Sequence, residues 1–323
     1  MLAVGFTSYG NVELQDVPRP SLREDTDAIV LVTTAAIGPW DIDRYESTST
    51  APVIPGGEFS GIIVEIGSKV ANFELDDLVS NTVQIGGIRT SIFLFGTNYL
   101  AGGHAEYVRV PQADESLIKI STAAEERSLL AGGTVGLGMK AAAAAVEHLR
   151  HGSITVYGAN PIAISMLTAL GSSDKELKKR VNLVEAHDAR RTLGSQHANS
   201  AVDHIDALPD DTCGLAVIPD VTHPKIAAYV EHAYQHCDSL LIAEPYGLAR
   251  LDQLGHELPT SRTITSVQWP SASEAQKIAY SIQVRKLELT PLVSHVVPLD
   301  EAQSAYEMAA NRSPGVQQVL LKL

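Results

Sequence analysis

From residue 153 to residue 268, short apolar runs alternate with helical stretches, and this alternation constrains the fold more than any other feature. "SITVYGA", "RVNLVEA", "GLAVIPD", "SLLIAEP" and "RTITSVQ" read as strands. "PIAISMLTALG", "DARRTLGSQ" and "HPKIAAYVEHAYQH" between them read as helices. Near-continuous apolar strands separated by helices are the mark of a parallel sheet covered on both faces. A doubly wound α/β domain is therefore expected here.

The first 120 residues have a different texture. "AIVLVTTAAI", "SGIIVEIG", "DLVSNTVQI" and "EYVRVP" are short β-type runs punctuated by Gly, Pro and Asp. Such spacing predicts a small barrel or sandwich. An Ala-rich helical stretch, "AAEERSLLAGGTVGLGMKAAAAAVEHLRHG", joins the two regions, and a tail of helix, strand, helix and strand closes the chain. The expected domains are residues 1–123, 124–268, and a return segment over 269–323.

Composition excludes several classes. A formal charge of −14 with no Lys/Arg cluster argues against nucleic-acid or acidic-membrane partners. The two cysteines, Cys213 and Cys237, are too few for a disulfide scaffold or a cysteine-rich zinc site. No basic start followed by an apolar core is visible at "MLAVGFTSYG", and no run of about 18 apolar residues exists. The expectation is a soluble, cytoplasmic protein.

The order of motifs resembles the medium-chain dehydrogenase/reductase superfamily, which pairs a GroES-like barrel with a Rossmann domain. "IPGGEFSGIIVEIGSKVANFELDDLV" is similar to the family's G-H-E-x-x-G-x-V-x-x-V-G…G-D-x-V stretch. "GGHAEYVRVPQADESLIKI" is similar to the segment that closes the barrel, and "VVPLDEAQSAYEMA…VLLKL" to the family ending. The departures fall on the metal ligands of the zinc-dependent branch. The Cys of its C-G-S/T-D motif matches Gly38 in "GPWD", the His of G-H-E matches Gly57, and the third ligand matches Gly133 in "LAGGTVGLG". Glycine offers no donor, and zinc catalysis needs about three protein ligands. The four-cysteine structural zinc lobe is also missing. The resemblance therefore implies a zinc-free branch member, with no metal site.

The hydroxyl of the family's proton relay matches Trp40, and its histidine matches Asp43. With the metal gone, Asp41 and Glu58 remain as acidic residues beside the emptied position. Converging carboxylates cannot all stay ionised cheaply, so one pKa is expected to rise and supply an acid or base. The alternative is that Asp41 caps a turn or helix and that Glu58 pairs with Arg44 or Arg89. Tyr45 is a candidate proton donor by location. Trp40, Asp43 and His104 are candidate pocket residues. Trp40 could stack on a planar substrate, or fill volume near the glycines.

At the cofactor end, "GANPIA" matches the G-x-G-x-x-G fingerprint at Gly158, has Asn160 in place of the middle glycine, and carries the permitted Ala163 third. Pro161 resembles the common G-x-G-P-x-G form. Gly158, Asn160, Pro161 and Ile162 are thus the expected phosphate loop, on the N-terminus of a helix. Glu185, 27 residues after Gly158, is the expected ribose acceptor and favours NAD over NADP. Arg190 is expected beside the adenine, or with Arg191 on a 2′-phosphate. "IPDVTHP" and "AEPYGLAR" replace the usual Gly-rich turns near the nicotinamide, with Glu244 and Tyr246 intruding.

The resemblance implies a zinc-independent NAD(P)-dependent oxidoreductase that passes hydride to or from a carbonyl, enone or quinone, working as a homodimer on a small-molecule substrate. The eroded fingerprint keeps two alternatives open. One is a redox-neutral lyase, isomerase or cyclase on the same scaffold, and the other is a non-catalytic protein.

Overall fold

The computed structural model describes the chain apart from residues 48–52, 86–93, 174, 210–211, 254, 256–261 and 314. It divides into two compact units, Met1–Gly136 with Trp269–Leu323, and Leu137–Gln268. The first unit opens with a hairpin, β1 (Leu2–Ser8) and β2 (Asn11–Asp16), which the sequence reading had not picked out. There follow β3 (Ala28–Ala36), β4 (Glu58–Ile66), β5 (Leu78–Asn81), β6 (Tyr107–Val110) and β7 (Leu117–Lys119). A short helix, Pro39–Tyr45, directly follows β3, with Pro39 at its first position where no N–H is needed. The Ala-rich link is not one helix. Short helical turns end at Gly132, and a separate helix runs over Thr134–His148.

The second unit is built on β8 (Ser153–Tyr157), β9 (Val181–Val184), β10 (Ser200–Val202), β11 (Cys213–Ile218), β12 (Cys237–Ile242) and β13 (Thr263–Ser266). These form one six-stranded sheet in the order β10-β9-β8-β11-β12-β13, every pairing parallel. The strand order reverses between β8 and β11, so the crevice at their C-terminal ends is the topological switch point. Every residue of β8, β9 and β11 is buried, as a sheet covered on both faces demands. Cys213 and Cys237 lie opposite each other in adjacent strands and are joined by a disulfide. The sequence excluded a disulfide scaffold; the pair forms because the parallel register of β11 and β12 sets them side by side.

The tail adds β14 (Val293–Pro298) and β15 (Gln318–Lys322) to the first unit. Its sheet then runs β14-β15-β3-β4-β5-β7, with β6 paired to β3. Helix Ala272–Gln283 starts with a capping box in which Ser271 and Glu274 satisfy each other's backbone N–H groups. Among the described residues, one apolar cluster of this unit lies around Phe59, Ile63 and Phe95 and another around Phe6, Tyr45 and Tyr306. Among the described residues no single helix is long and apolar enough to cross a membrane.

Candidate functional site

The site in the first unit is organised by the turn that precedes β4. Gly56 takes φ +102°, a conformation that L side chains rarely adopt. Two buried polar side chains hold this turn. Asn81 donates to the Gly57 carbonyl (2.8 Å) and accepts from the Phe59 N–H (2.8 Å). Asp41 accepts from the Gly56 N–H through Oδ1 (2.8 Å) and from the Gly38 N–H through Oδ2 (2.9 Å). One carboxylate thus ties the start of the 39–45 helix to the turn before β4. Burial pushes the Asp41 pKa up, while His104 and the backbone donors pull against that shift.

The three glycines at the family's ligand positions face two side chains. A Cβ on Gly38 would lie 2.6 Å from the Trp40 ring, and a Cβ on Gly57 would lie 2.2 Å from Trp40 Nε1. A Cβ on Gly133 would lie 2.5 Å from Glu58 Oε1. The space that ligand side chains would need is therefore filled by an indole and a carboxyl. Trp40 packs edge-on against Trp269, with centroids 5.2 Å apart and planes at 75°. The buried indole N–H groups of both tryptophans lack a hydrogen-bond partner, a condition that costs about 1–3 kcal/mol for each such group. Among the described residues no group of three His, Cys, Asp or Glu side chains is placed to hold a metal ion. With glycine at three positions and Trp40 in the space between two of them, the donor set does not fit zinc.

Glu58 is the first residue of β4 and is fully buried. Both of its carboxyl oxygens are held by Thr134. The Thr134 N–H donates to Oε1 and the Thr134 hydroxyl donates to Oε2, both at 2.7 Å. Arg44 instead donates to Asn98 (2.8 Å), and Arg89 lies outside the described residues. Thr134 starts the helix Thr134–His148, so the carboxyl sits at a helix N-terminus, which favours its charged form. Burial outweighs this. It raises the Glu58 pKa to about 8, against the two Thr134 hydrogen bonds and with a smaller push from Asp41. Thr134 was missed in the sequence; the hydroxyl directly after Gly133, at a helix start, was the available signal.

The other expected pocket and proton-transfer residues are engaged elsewhere. His104 is fully buried, with Nε2 3.0 Å from the Ala36 carbonyl and Nδ1 2.9 Å from the Tyr306 hydroxyl. A carbonyl only accepts, so Nε2 carries the proton and Nδ1 accepts from Tyr306. Burial lowers the His104 pKa, which keeps the ring neutral. The histidine expected in the pocket is thus a core histidine with both nitrogens satisfied. Tyr45 packs on Tyr306, and its hydroxyl accepts from Gln303 (3.2 Å). It belongs to an apolar cluster, and burial raises its pKa, which argues against the proton-donor role. Asp43 is half-buried on the same short helix as Asp41.

The second unit holds the expected cofactor loop at the end of β8. Gly158 has φ +102°, and a Cβ there would meet only His223, at 3.8 Å. Asn160 does not need a left-handed backbone; it precedes the helix Pro161–Ser173 and its side chain accepts from the Ala163 N–H (2.9 Å). The same amide donates to the Pro219 carbonyl, beyond the end of β11 (2.9 Å). Glu185, just past β9, is buried and accepts from the Ala159 N–H and the His187 N–H, both at 2.8 Å. Arg190 is buried in the helix Asp188–Ser195. Arg191 donates to the Glu185 and Ala186 carbonyls and pairs with Asp188, so it is committed to its own turn. Glu244 accepts from the Val221 N–H (3.3 Å), while Tyr246 takes φ +62° in the following turn. For a dinucleotide, the Gly158 turn and the fixed Glu185 carboxylate fit the ribose side. The diphosphate side fits once the Asn160 amide leaves the helix start.

The fold pairs a GroES-like unit with a Rossmann-like α/β unit. Residues 24–122 match the alcohol dehydrogenase GroES-like domain family. A zinc-type alcohol dehydrogenase B of Aspergillus flavus is 28% identical over 220 residues, covering 62% of this chain and 51% of the relative. The chain thus spans about half the length of that relative. An alcohol dehydrogenase of Cupriavidus necator is 25% identical over 372 aligned positions, covering 100% of this chain and 98% of the relative. Among solved structures, the alcohol dehydrogenase TADH of Thermus sp. ATN1 superposes with a TM-score of 0.77 at 19% identity, covering 100% of this chain and 99% of the other. The rspB alcohol dehydrogenase of E. coli, solved with NADH, gives 0.74 at 18% identity and 100% and 99% coverage. The relatives are named as alcohol dehydrogenases, and the solved structures share the fold of this chain.

Proposed function

We propose that the protein is a zinc-independent, nicotinamide-dependent oxidoreductase acting on a small carbonyl, enone or quinone. The observation that carries this reading is Glu58, fully buried beside the glycine turn, where burial raises its pKa to about 8. When bound, the nicotinamide supplies or accepts the hydride. Burial raises the Glu58 pKa, so its carboxyl, held by Thr134, can protonate the product or take a proton in the reverse direction. Trp40 and Trp269 pack edge-on and form an aromatic wall beside the Gly57 turn. Asp41 holds the glycine turn that seats Glu58.

Glu185 favours NAD over NADP, since its carboxylate suits ribose hydroxyls and repels a 2′-phosphate. NADH in the rspB structure supports the choice of a nicotinamide cofactor. The working assembly is a homodimer in the cytoplasm. A redox-neutral or non-catalytic reading is favoured by one observation, the Asn160 side chain on the helix start that a diphosphate would use. Titration with NADH and NADPH, followed by nicotinamide fluorescence, tests the proposal. Saturable NADH binding with oxidation in the presence of cyclohex-2-enone or 1,4-benzoquinone is expected. No binding of either nucleotide at high micromolar concentration overturns the oxidoreductase reading.

A further inference from the structure

The strand order of the second unit reverses between β8 and β11, and a ligand of such a sheet lies across the C-terminal ends of those two strands. One side chain spans that line. Asn160, three residues after β8, donates through Nδ2 to the carbonyl of Pro219, the first residue after β11. Its Oδ1 accepts the N–H of Ala163 in the first turn of the helix Pro161–Ser173. This is the position where the fingerprint places a glycine so that a diphosphate can approach the backbone. The amide oxygen takes a helix-start donor, and the amide nitrogen ties the opposite side of the crevice. Glu185 takes the Ala159 N–H in the same loop. The loop is folded and satisfied by the chain's own groups.

We infer that Asn160 is a latch across the cofactor crevice, an internal stand-in for the diphosphate that sets how tightly a dinucleotide binds. The inference rests on the nicotinamide reading above. Binding requires the amide to rotate away, breaking the bonds to Ala163 and Pro219, and the diphosphate then takes the freed helix start. The loop itself needs no rebuilding, because Gly158 supplies the positive φ and Asn160 has none.

The experiment compares the full-length protein with Asn160→Gly and Asn160→Asp, using NADH and NADPH titrations and amide hydrogen exchange at Ala163 without nucleotide. Glycine is tolerated at a helix cap, so Asn160→Gly is expected to fold, which circular dichroism checks. It should bind NADH about tenfold more tightly than the parent, a factor worth about 1.4 kcal/mol. It should also lose exchange protection at Ala163 in the free protein. Asn160→Asp keeps the cap but sets a carboxylate before the diphosphate, and should bind about tenfold or more weakly than the parent. Asn160→Gly binding no more tightly than a parent that does bind NADH overturns the latch and leaves the oxidoreductase reading standing. Binding by Asn160→Gly alone supports the latch in its strongest form. No binding by any of the three overturns both.

Discussion

Two regions of this molecule occupy positions where related scaffolds hold something else, and they do so differently. In the first unit the matching positions are Gly38, Gly57 and Gly133, where an added Cβ would come within 2.2–2.6 Å of Trp40 or Glu58. In the second unit the cofactor crevice is crossed by one amide with two hydrogen bonds of 2.9 Å. The first is close packing, with an indole lying where two of the glycines would carry side chains. The second is a latch worth about two ordinary hydrogen bonds, which a ligand with charged oxygens can replace. On the proposed reading, the first arrangement leaves no donor set for zinc, and the second makes dinucleotide binding conditional.

The largest expected effect comes from Glu58. A carboxyl whose pKa rises on folding stabilises the fold fully below its unfolded pKa near 4.5, and that contribution is lost as pH rises through about 8. The loss across this window amounts to about 5 kcal/mol. Glu58→Gln keeps an acceptor for Thr134 and cannot ionise. Its denaturant stability should match the parent near pH 5 and exceed it by several kcal/mol at pH 9. Parallel pH profiles for the two proteins would show that the carboxyl is not held protonated. Burial lowers the His104 pKa, and this acts oppositely, costing stability as pH falls below about 6.5.

A pair of alanine substitutions sharpens the contrast between the regions. Gly57→Ala brings a methyl against Trp40 and should cost about 1–3 kcal/mol. Adding Trp40→Ala should recover the clash component, giving a coupling of at least about 1 kcal/mol in a double-mutant cycle. Gly158→Ala meets open space but keeps φ +102°, so it should cost about 1–2 kcal/mol whatever its neighbours are. His223→Ala should not relieve it. Rescue of Gly158→Ala by His223→Ala, or failure of Trp40→Ala to relieve Gly57→Ala, would break the distinction.

Asp41→Asn is expected to cost about as much as Gly57→Ala. The amide accepts from only one of Gly38 and Gly56, and the other N–H faces an NH₂ group. Thermal unfolding should show a loss of about 1–3 kcal/mol.

The architecture was legible because its signals are local. β8, β9 and β11 are short apolar runs between helix starts, and their burial on both faces follows from a parallel sheet. The helix Gly247–Gln253 was not anticipated, since "AEPYGLAR" carries loop-type residues and the helix begins only at its glycine. The three glycines could be read as emptied positions. What fills them could not, because Trp40 reaches Gly57 across seventeen residues of sequence and Thr134 reaches Glu58 across seventy-six. The pairing of Cys213 with Cys237 likewise depends on strand order, which no pair of cysteines reveals on its own. His104 shows the converse hazard: it stands beside a motif, but the Ala36 carbonyl and the Tyr306 hydroxyl claim both its nitrogens.

The central claim is that the barrel site has exchanged a metal for an indole and a protonated carboxyl. Metal analysis of the purified protein, incubated with excess zinc and then desalted, tests it most directly. The account predicts zinc well below stoichiometry, under about 0.1 per chain, because three glycines supply no donor. One zinc per chain, lost on substituting Glu58 or Asp41, would contradict it.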